Sequence, residues 1–141
     1  LLEANASSSK KEKMARYQHL PIYKDAYVFT REFYKIKLKL PKHLKYDLGS
    51  QVFESCMRIQ KSIVVVNGSE KKMPAVRQVS LECETISTFL RLLYEFQGIS
   101  HGEYRLSMER LVAVKKGLSV WAKWEYKNTK ISDLSSPAAS V

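Results

Sequence analysis

The chain has 141 residues, with 24 Lys and Arg against 14 Asp and Glu and a formal net charge of +10. Hydrophobic residues make up 45% and charged ones 27%, which sets it apart from disordered chains, and 5 Gly and 4 Pro are too few for a sandwich or barrel of many short strands. The length fits one domain, and a body this basic favours polyanions: nucleic acid, an anionic membrane surface or an acidic protein.

Residues 1–18, with Ser7-Ser8-Ser9-Lys10-Lys11-Glu12-Lys13, are polar and aperiodic and are expected to form a flexible tail. A helix is predicted from Pro21, a residue suited to the first turn. Ile22, Ala26, Phe29, Phe33, Ile36 and Leu40 recur three and four apart on its inner face, Lys24, Arg31, Lys35 and Lys39 lie roughly opposite, and Pro41 ends it. The second helix is predicted over 44–67, with Leu48, Val52, Cys56, Ile59, Ile63 and Val66 inward and Glu54 and Arg58 four apart on the outer face. Asn67-Gly68 is its stop signal.

The third helix is predicted from Pro74 to Gln97, on Val76, Val79, Cys83, Ile86, Leu90 and Leu93, with Gly98 as its C-terminal cap. Ser100 and Glu103 have capping-box spacing. The fourth helix carries Tyr104, Met108, Leu111, Val114, Leu118 and Trp121 and is expected to end near Tyr126 or Lys127. Short connections force antiparallel neighbours, so residues 19–127 are predicted to form an all-α, up-down-up-down four-helix bundle, followed by a loose tail over 128–141. Tyr23, Tyr27 and Tyr34 flank the first stripe, and Phe89, Leu92 and Phe96 the third. That surplus apolar width points either to subunit contacts or to a wide internal core.

No run of 18 apolar residues occurs, so no membrane span is expected. Leu1-Leu2-Glu3-Ala4-Asn5 shows no secretory pattern. Cys56 and Cys83 sit within apolar helical patterns, as core thiols of a reducing, cytoplasmic compartment would. His19, His43 and His101 are not paired at helical spacing with a carboxylate or another histidine, and Glu82 and Glu84 fall on opposite sides of a helix. Without a phosphate loop, a dinucleotide glycine pattern or a cysteine beside a base, neither an enzyme nor a bound metal or cofactor is expected.

Leu40-Pro41-Lys42-His43 followed by Tyr46-Asp47-Leu48-Gly49-Ser50-Gln51 resembles the first helical junction of small bacterial four-helix-bundle proteins, a group that includes those encoded by intervening sequences of 23S ribosomal RNA genes. Phe89-Leu90-Arg91-Leu92-Leu93-Tyr94-Glu95, Ile99-Ser100 with Tyr104, and Gly117-Leu118-Ser119-Val120-Trp121 narrow the likeness. Together, over roughly residues 20–126, these segments resemble the accessory variability determinant (Avd) family of diversity-generating retroelements. Where that family has two glycines before the tryptophan, this chain has Ser119-Val120, with a glycine earlier at Gly117. The resemblance implies a ring-like homopentamer without catalytic activity. It further implies binding to the retroelement's reverse transcriptase and template RNA, in support of mutagenic cDNA synthesis. The alternatives are an intervening-sequence-type bundle of structural role and a basic peripheral binder of anionic partners.

Lys35, Lys39, Lys42 and Lys45 are the first candidate phosphate track, because clustered ammonium groups gain affinity by counterion release without reading bases. Lys115, Lys116, Lys123 and Lys127 are the second. Arg91 interrupts an apolar stretch at the place of the family's arginine, so either it faces a polymerase carboxylate or RNA phosphate, or it pairs with Glu95 on the next turn. Trp121 and Trp124 read as core or subunit anchors.

Overall fold

A computed structural model describes residues 20–135, with side chains as far as Lys123. The elements are α1 (Pro21–Lys39), a single turn α2 (Lys42–Leu44) that continues through a π-helical turn (Lys45–Gly49) into α3 (Ser50–Val66), then α4 (Met73–Glu95) and α5 (His101–Ser135). The described residues are all-α, and their four long helices close a cycle in which α1 and α4 each pack against both α3 and α5.

Each predicted stripe faces this centre. Phe29, Phe33, Val52, Cys56, Ile59, Ile63, Val79, Cys83, Ile86, Leu90, Leu93, Leu111 and Val114 are buried in one core. Leu48 and Val66 are only half-buried against it. Burial, the largest influence on both thiols, pushes Cys56 up to about 12 and Cys83 up to about 11, so neither is a thiolate at neutral pH.

Cross-helix pairs fix the directions. The C-terminal end of α1 meets the start of α5 through Lys39 Nζ and Glu103 Oε2 at 3.9 Å, while Ile22, at the other end of α1, lies against Gly117. A Cβ on Gly117 would stand 2.7 Å from Ile22 Cβ and 3.2 Å from its Cα. This glycine therefore lets α1 and α5 approach closely, although it stands earlier than the glycine pair of the Avd pattern. Between α4 and α5, Lys115 Nζ reaches Glu84 Oε1 at 3.0 Å and Tyr94 stacks on Tyr104 at 5.1 Å. Later residues of α4 meet earlier residues of α5, as antiparallel neighbours do.

Three local expectations need correction. Arg58 does not turn to Glu54: its Nε donates to Glu82 Oε1 of α4 at 2.7 Å and its Nη2 to Ser55 Oγ at 3.0 Å. Glu82 is buried, and Gln78 Nε2 donates to the same carboxylate at 3.0 Å. Burial is the largest single influence on Glu82 and raises its pKa. Hydrogen bonds from Arg58, Ser55 and Gln78, with the Arg58 charge, outweigh it and hold the group below the ordinary 4.5. A partner across two helices wins over a neighbour on the same helix because the buried carboxylate needs donors that Glu54, out in water, does not need.

The second correction concerns the end of α3. Asn67 and Gly68 both follow the last turn, but no glycine here adopts a positive φ, so the left-handed cap is not used. Instead Lys72, 8% exposed, donates its ammonium to the carbonyls of Val66, Asn67 and Ser69 at 3.3, 3.3 and 3.0 Å. Its Nζ also lies 5.3 Å from the Trp121 ring. A cation on the carbonyl end of a helix satisfies both the orphan acceptors and the macrodipole, and Trp121, 7% exposed, takes the anchoring place expected of it.

Third, α5 runs to Ser135, past the expected end near Tyr126 or Lys127. Nothing between Gly117 and Pro137 is Gly or Pro, so no breaker stops it. Residues 128–135, expected as tail, are thus helical in backbone. The predicted tail over 1–18 and positions 136–141 lie outside the described residues.

Candidate nucleic-acid interface

Two turns meet at one end of the bundle: the α1–α3 junction and the α4–α5 corner. Leu40 and Leu44 are buried there and pin the junction down, which leaves Lys39, Lys42 and His43 exposed and Lys45 half-exposed. Between Leu44 and Gly49, both buried and five positions apart, lies the π turn. A π turn carries one more residue than an α-helical turn. It brings Leu44 inward together with Gly49 and turns Leu48 half outward. Ser50 Oγ donates to the Lys45 carbonyl at 3.2 Å, five residues back, and braces the wider turn. Tyr46 is left 67% exposed, with Lys45 Nζ 6.0 Å from its ring centre.

At the corner, Ser100 and Glu103 form the predicted box: the Ser100 N–H donates to Glu103 Oε1 at 2.9 Å and the Glu103 N–H to Ser100 Oγ at 3.0 Å. The cap of α4 differs by one residue from expectation. Gln97 is the left-handed residue, at φ 61°, and the Gly98 N–H donates to the Leu93 carbonyl at 2.8 Å to complete a Schellman pattern. Gly98 serves packing instead, since a Cβ there would stand 2.8 Å from Leu44 Cδ1. This contact locks the two turns together, with Tyr94 and His101 rings 5.8 Å apart and Phe96 exposed beside them.

The first lysine track is therefore assembled on one side and end of the molecule, with unequal members. Lys35 Nζ is 3.2 Å from Glu32 Oε1, and that hydrogen bond is the foremost cause that holds Glu32 below its ordinary range. Lys39 is loosely paired with Glu103. Among the described residues, Lys42 and Lys45 have no carboxylate within 4 Å. Lys37, not singled out from the sequence because it flanks the apolar stripe, joins this end with its Nζ 5.7 Å from the Phe53 ring.

The second track does not join the first. Lys115 is held by Glu84, Lys116 and Lys123 are exposed farther along α5, on the side of Gly117 and Trp121, and the side chains of Trp124 and Lys127 lie outside those described. Arg91 takes the local option, with Nε 3.1 Å from Glu95 Oε1, and remains largely exposed. Of the flanking apolar residues, Phe89 and Leu92 are half-buried, whereas Tyr27, Tyr34 and Phe96 are exposed.

Glu82 and Glu84 face α3 and α5 respectively, as their opposite sides of the helix require. Among the described residues, no three His, Cys, Asp or Glu side chains gather as a metal-holding group, and no helix is long and apolar enough to cross a membrane. Two features had no sequence signal: Lys72, one of several polar residues in a loop, and Gln60, whose buried Oε1 accepts no hydrogen bond among the described residues. Compared with protein-family models, curated proteins and solved structures, the chain matches none.

Proposed function

We propose that this chain is a non-enzymatic, RNA-binding accessory protein of the Avd kind, a homo-oligomer that holds template RNA at its basic end and joins it to a reverse transcriptase. The observation that carries the reading is the junction itself. Leu40, Leu44 and the π turn hold Lys39, Lys42 and Lys45 beside exposed Tyr46, and among the described residues no carboxylate neutralises the last two lysines. Ammonium groups in such a cluster bind phosphates and an exposed aromatic ring stacks on bases, a pairing suited to single strands. The motif order in the sequence supports the retroelement role, and exposed Arg91 on α4, with Phe96 just past its end, offers a surface for the polymerase.

The test is titration of a labelled single-stranded RNA at several salt concentrations. Replacing Lys39, Lys42 and Lys45 with Gln should remove about three phosphate contacts and make the slope of log K against log salt shallower by about 2. Circular dichroism should be unchanged, since none of the three ammonium groups is buried. An unchanged slope in the folded variant rejects this end as the RNA face. Light scattering that gives a 16.3 kDa monomer at micromolar concentration rejects the oligomer.

A further inference from the structure

A solvent-open groove runs between α1 and α3, with room for about 470 Å³, and Lys35 of the first lysine track is among the residues that line it. That volume lies within the range of small-molecule sites, about 300–1,000 Å³. Tyr27, Tyr34, Phe53 and Met57 make its walls, and Arg31 and Lys35 stand at its rim. Tyr27 is 53% exposed, Tyr34 45% and Met57 51%, an unusual amount of aromatic and thioether surface to leave in water. Tyr34 is tilted against Phe53 at 5.5 Å, which fixes its ring as one end wall.

Tyr27 and Tyr34 lie seven positions apart on α1, about 10 Å along the axis. Two helical turns between them leave room for a flat group against either ring. Thr30 lies between them, its hydroxyl turned back to the Ala26 carbonyl at 2.8 Å, so the floor of the slot offers no competing donor. Across from it, Gln60 lines the same groove and carries the unsatisfied carboxamide oxygen. That acceptor is buried beside the groove and calls for a donor. At the rim, Arg31 uses only its Nε on Glu32, which leaves its terminal amino groups for an anion.

A planar group with an N–H donor, attached to a negatively charged chain, meets all three requirements. We infer that the groove takes an unpaired base of single-stranded RNA, stacked between Tyr27 and Tyr34 and donating to Gln60, with Arg31 on an adjoining phosphate. The inference rests on the RNA-binding reading above and adds a base-holding subsite to its phosphate track. A second copy of the chain would fill the apolar walls equally well, and the test below separates the two occupants.

The probe is an oligoadenylate decamer with one 2-aminopurine, whose fluorescence is quenched on stacking. Binding to the full chain should quench it. Tyr34→Leu, which keeps an apolar contact to Phe53, should relieve the quenching and weaken affinity about tenfold without changing the salt slope. Gln60→Leu should abolish the preference for adenine over purine, which lacks the amino group, while the fold stays intact.

RNA bound with its full salt slope but without quenching leaves the RNA-binding reading standing and overturns this one. So does unchanged affinity in folded Tyr34→Leu. A Tyr34→Leu variant that loses oligomer mass in light scattering assigns the groove to a second copy and also overturns it. A wild-type chain that binds no RNA at any salt concentration overturns both readings.

Discussion

At one end of the bundle Lys72 is folded under the chain, its ammonium on three carbonyls of the α3 terminus and over the Trp121 ring. At the other end Lys42 is exposed and Lys45 half-exposed, and among the described residues neither has a carboxylate beside it. The same residue type thus serves two purposes. What separates them is the supply of unpaired backbone acceptors. Where α3 stops without a left-handed cap, its last carbonyls draw in a cation. The Lys39–Lys45 junction is already closed by its own backbone, with the Leu44 and Lys45 N–H groups donating to the Pro41 carbonyl at 2.9 and 2.8 Å, and nothing there recruits an ammonium group.

The glycines differ in the same way. Gly98, at the lysine end, has no room for a Cβ, whereas Gly68, at the Lys72 end, has nothing within 4 Å of one. One end is assembled by close backbone approach and the other by a side chain.

The sharpest way to break this comparison is to replace each lysine with Met and measure thermal unfolding. Lys72→Met should lose about 2 kcal/mol, because three carbonyls lose a charged donor and the helix terminus loses its cation. Lys42→Met should stay within about 0.5 kcal/mol, as exposed substitutions do. Equal losses would remove the distinction between the ends.

Glycine substitutions give the next largest difference. Gly98→Ala should cost about 1 kcal/mol, since Leu44 Cδ1 must move from where the new methyl stands and the turns must part slightly. Gly68→Ala should be neutral or stabilise by about 0.5 kcal/mol, through a less flexible unfolded chain. Urea midpoints at constant m would separate the two.

The smallest effect comes from acid, and it sharpens the comparison by testing the middle of the bundle. Glu82 has a folded-state pKa below its ordinary 4.5. Its contribution to stability is therefore fully present above that ordinary value and is lost as the pH falls through the lowered one. Glu82→Gln should flatten the acid side of the stability–pH profile while the lysine-end variants keep its wild-type shape. A Glu82→Gln profile as steep as wild type would show that Arg58 does not hold the carboxylate in solution.

The four apolar stripes, the proline boundaries of α1 and the Ser100–Glu103 box were all legible, because each depends on residues a few positions apart whose side-chain chemistry is decisive. Features that depended on tertiary neighbours were not. Glu54 is the nearer partner of Arg58 along the chain, yet Glu82 is the one that burial leaves in need of donors. Gly98 looked like a left-handed cap because glycine usually fills that position, while here Gln97 takes it and Gly98 makes room for Leu44. The lysine track could be read as a cluster of charges in sequence, but not which of its members carboxylates engage, since Glu103 reaches Lys39 only through the packing of α5 on α1.

The π turn at Lys45–Gly49 has a consequence for how this junction can vary. Leu44, Leu48 and Val52 are spaced as an ordinary α-helix would space them, yet the backbone holds one residue more than that helix needs before Ser50. Deleting a single residue from this stretch would let an α-helical turn re-form with Leu44 and Gly49 four positions apart and both still inward, so the phase of everything upstream would be kept. Leu44 would keep its place in the core against Gly98, and Pro41 and the residues before it would keep their direction. Lysine-to-arginine exchanges at 42 and 45 would keep the charge and the direction in which it points. A one-residue deletion in the regular turns of α3 would keep the charge and redirect it by about 100°, so the π turn is a place where this helix can lose a residue and the basic loop keep its aim.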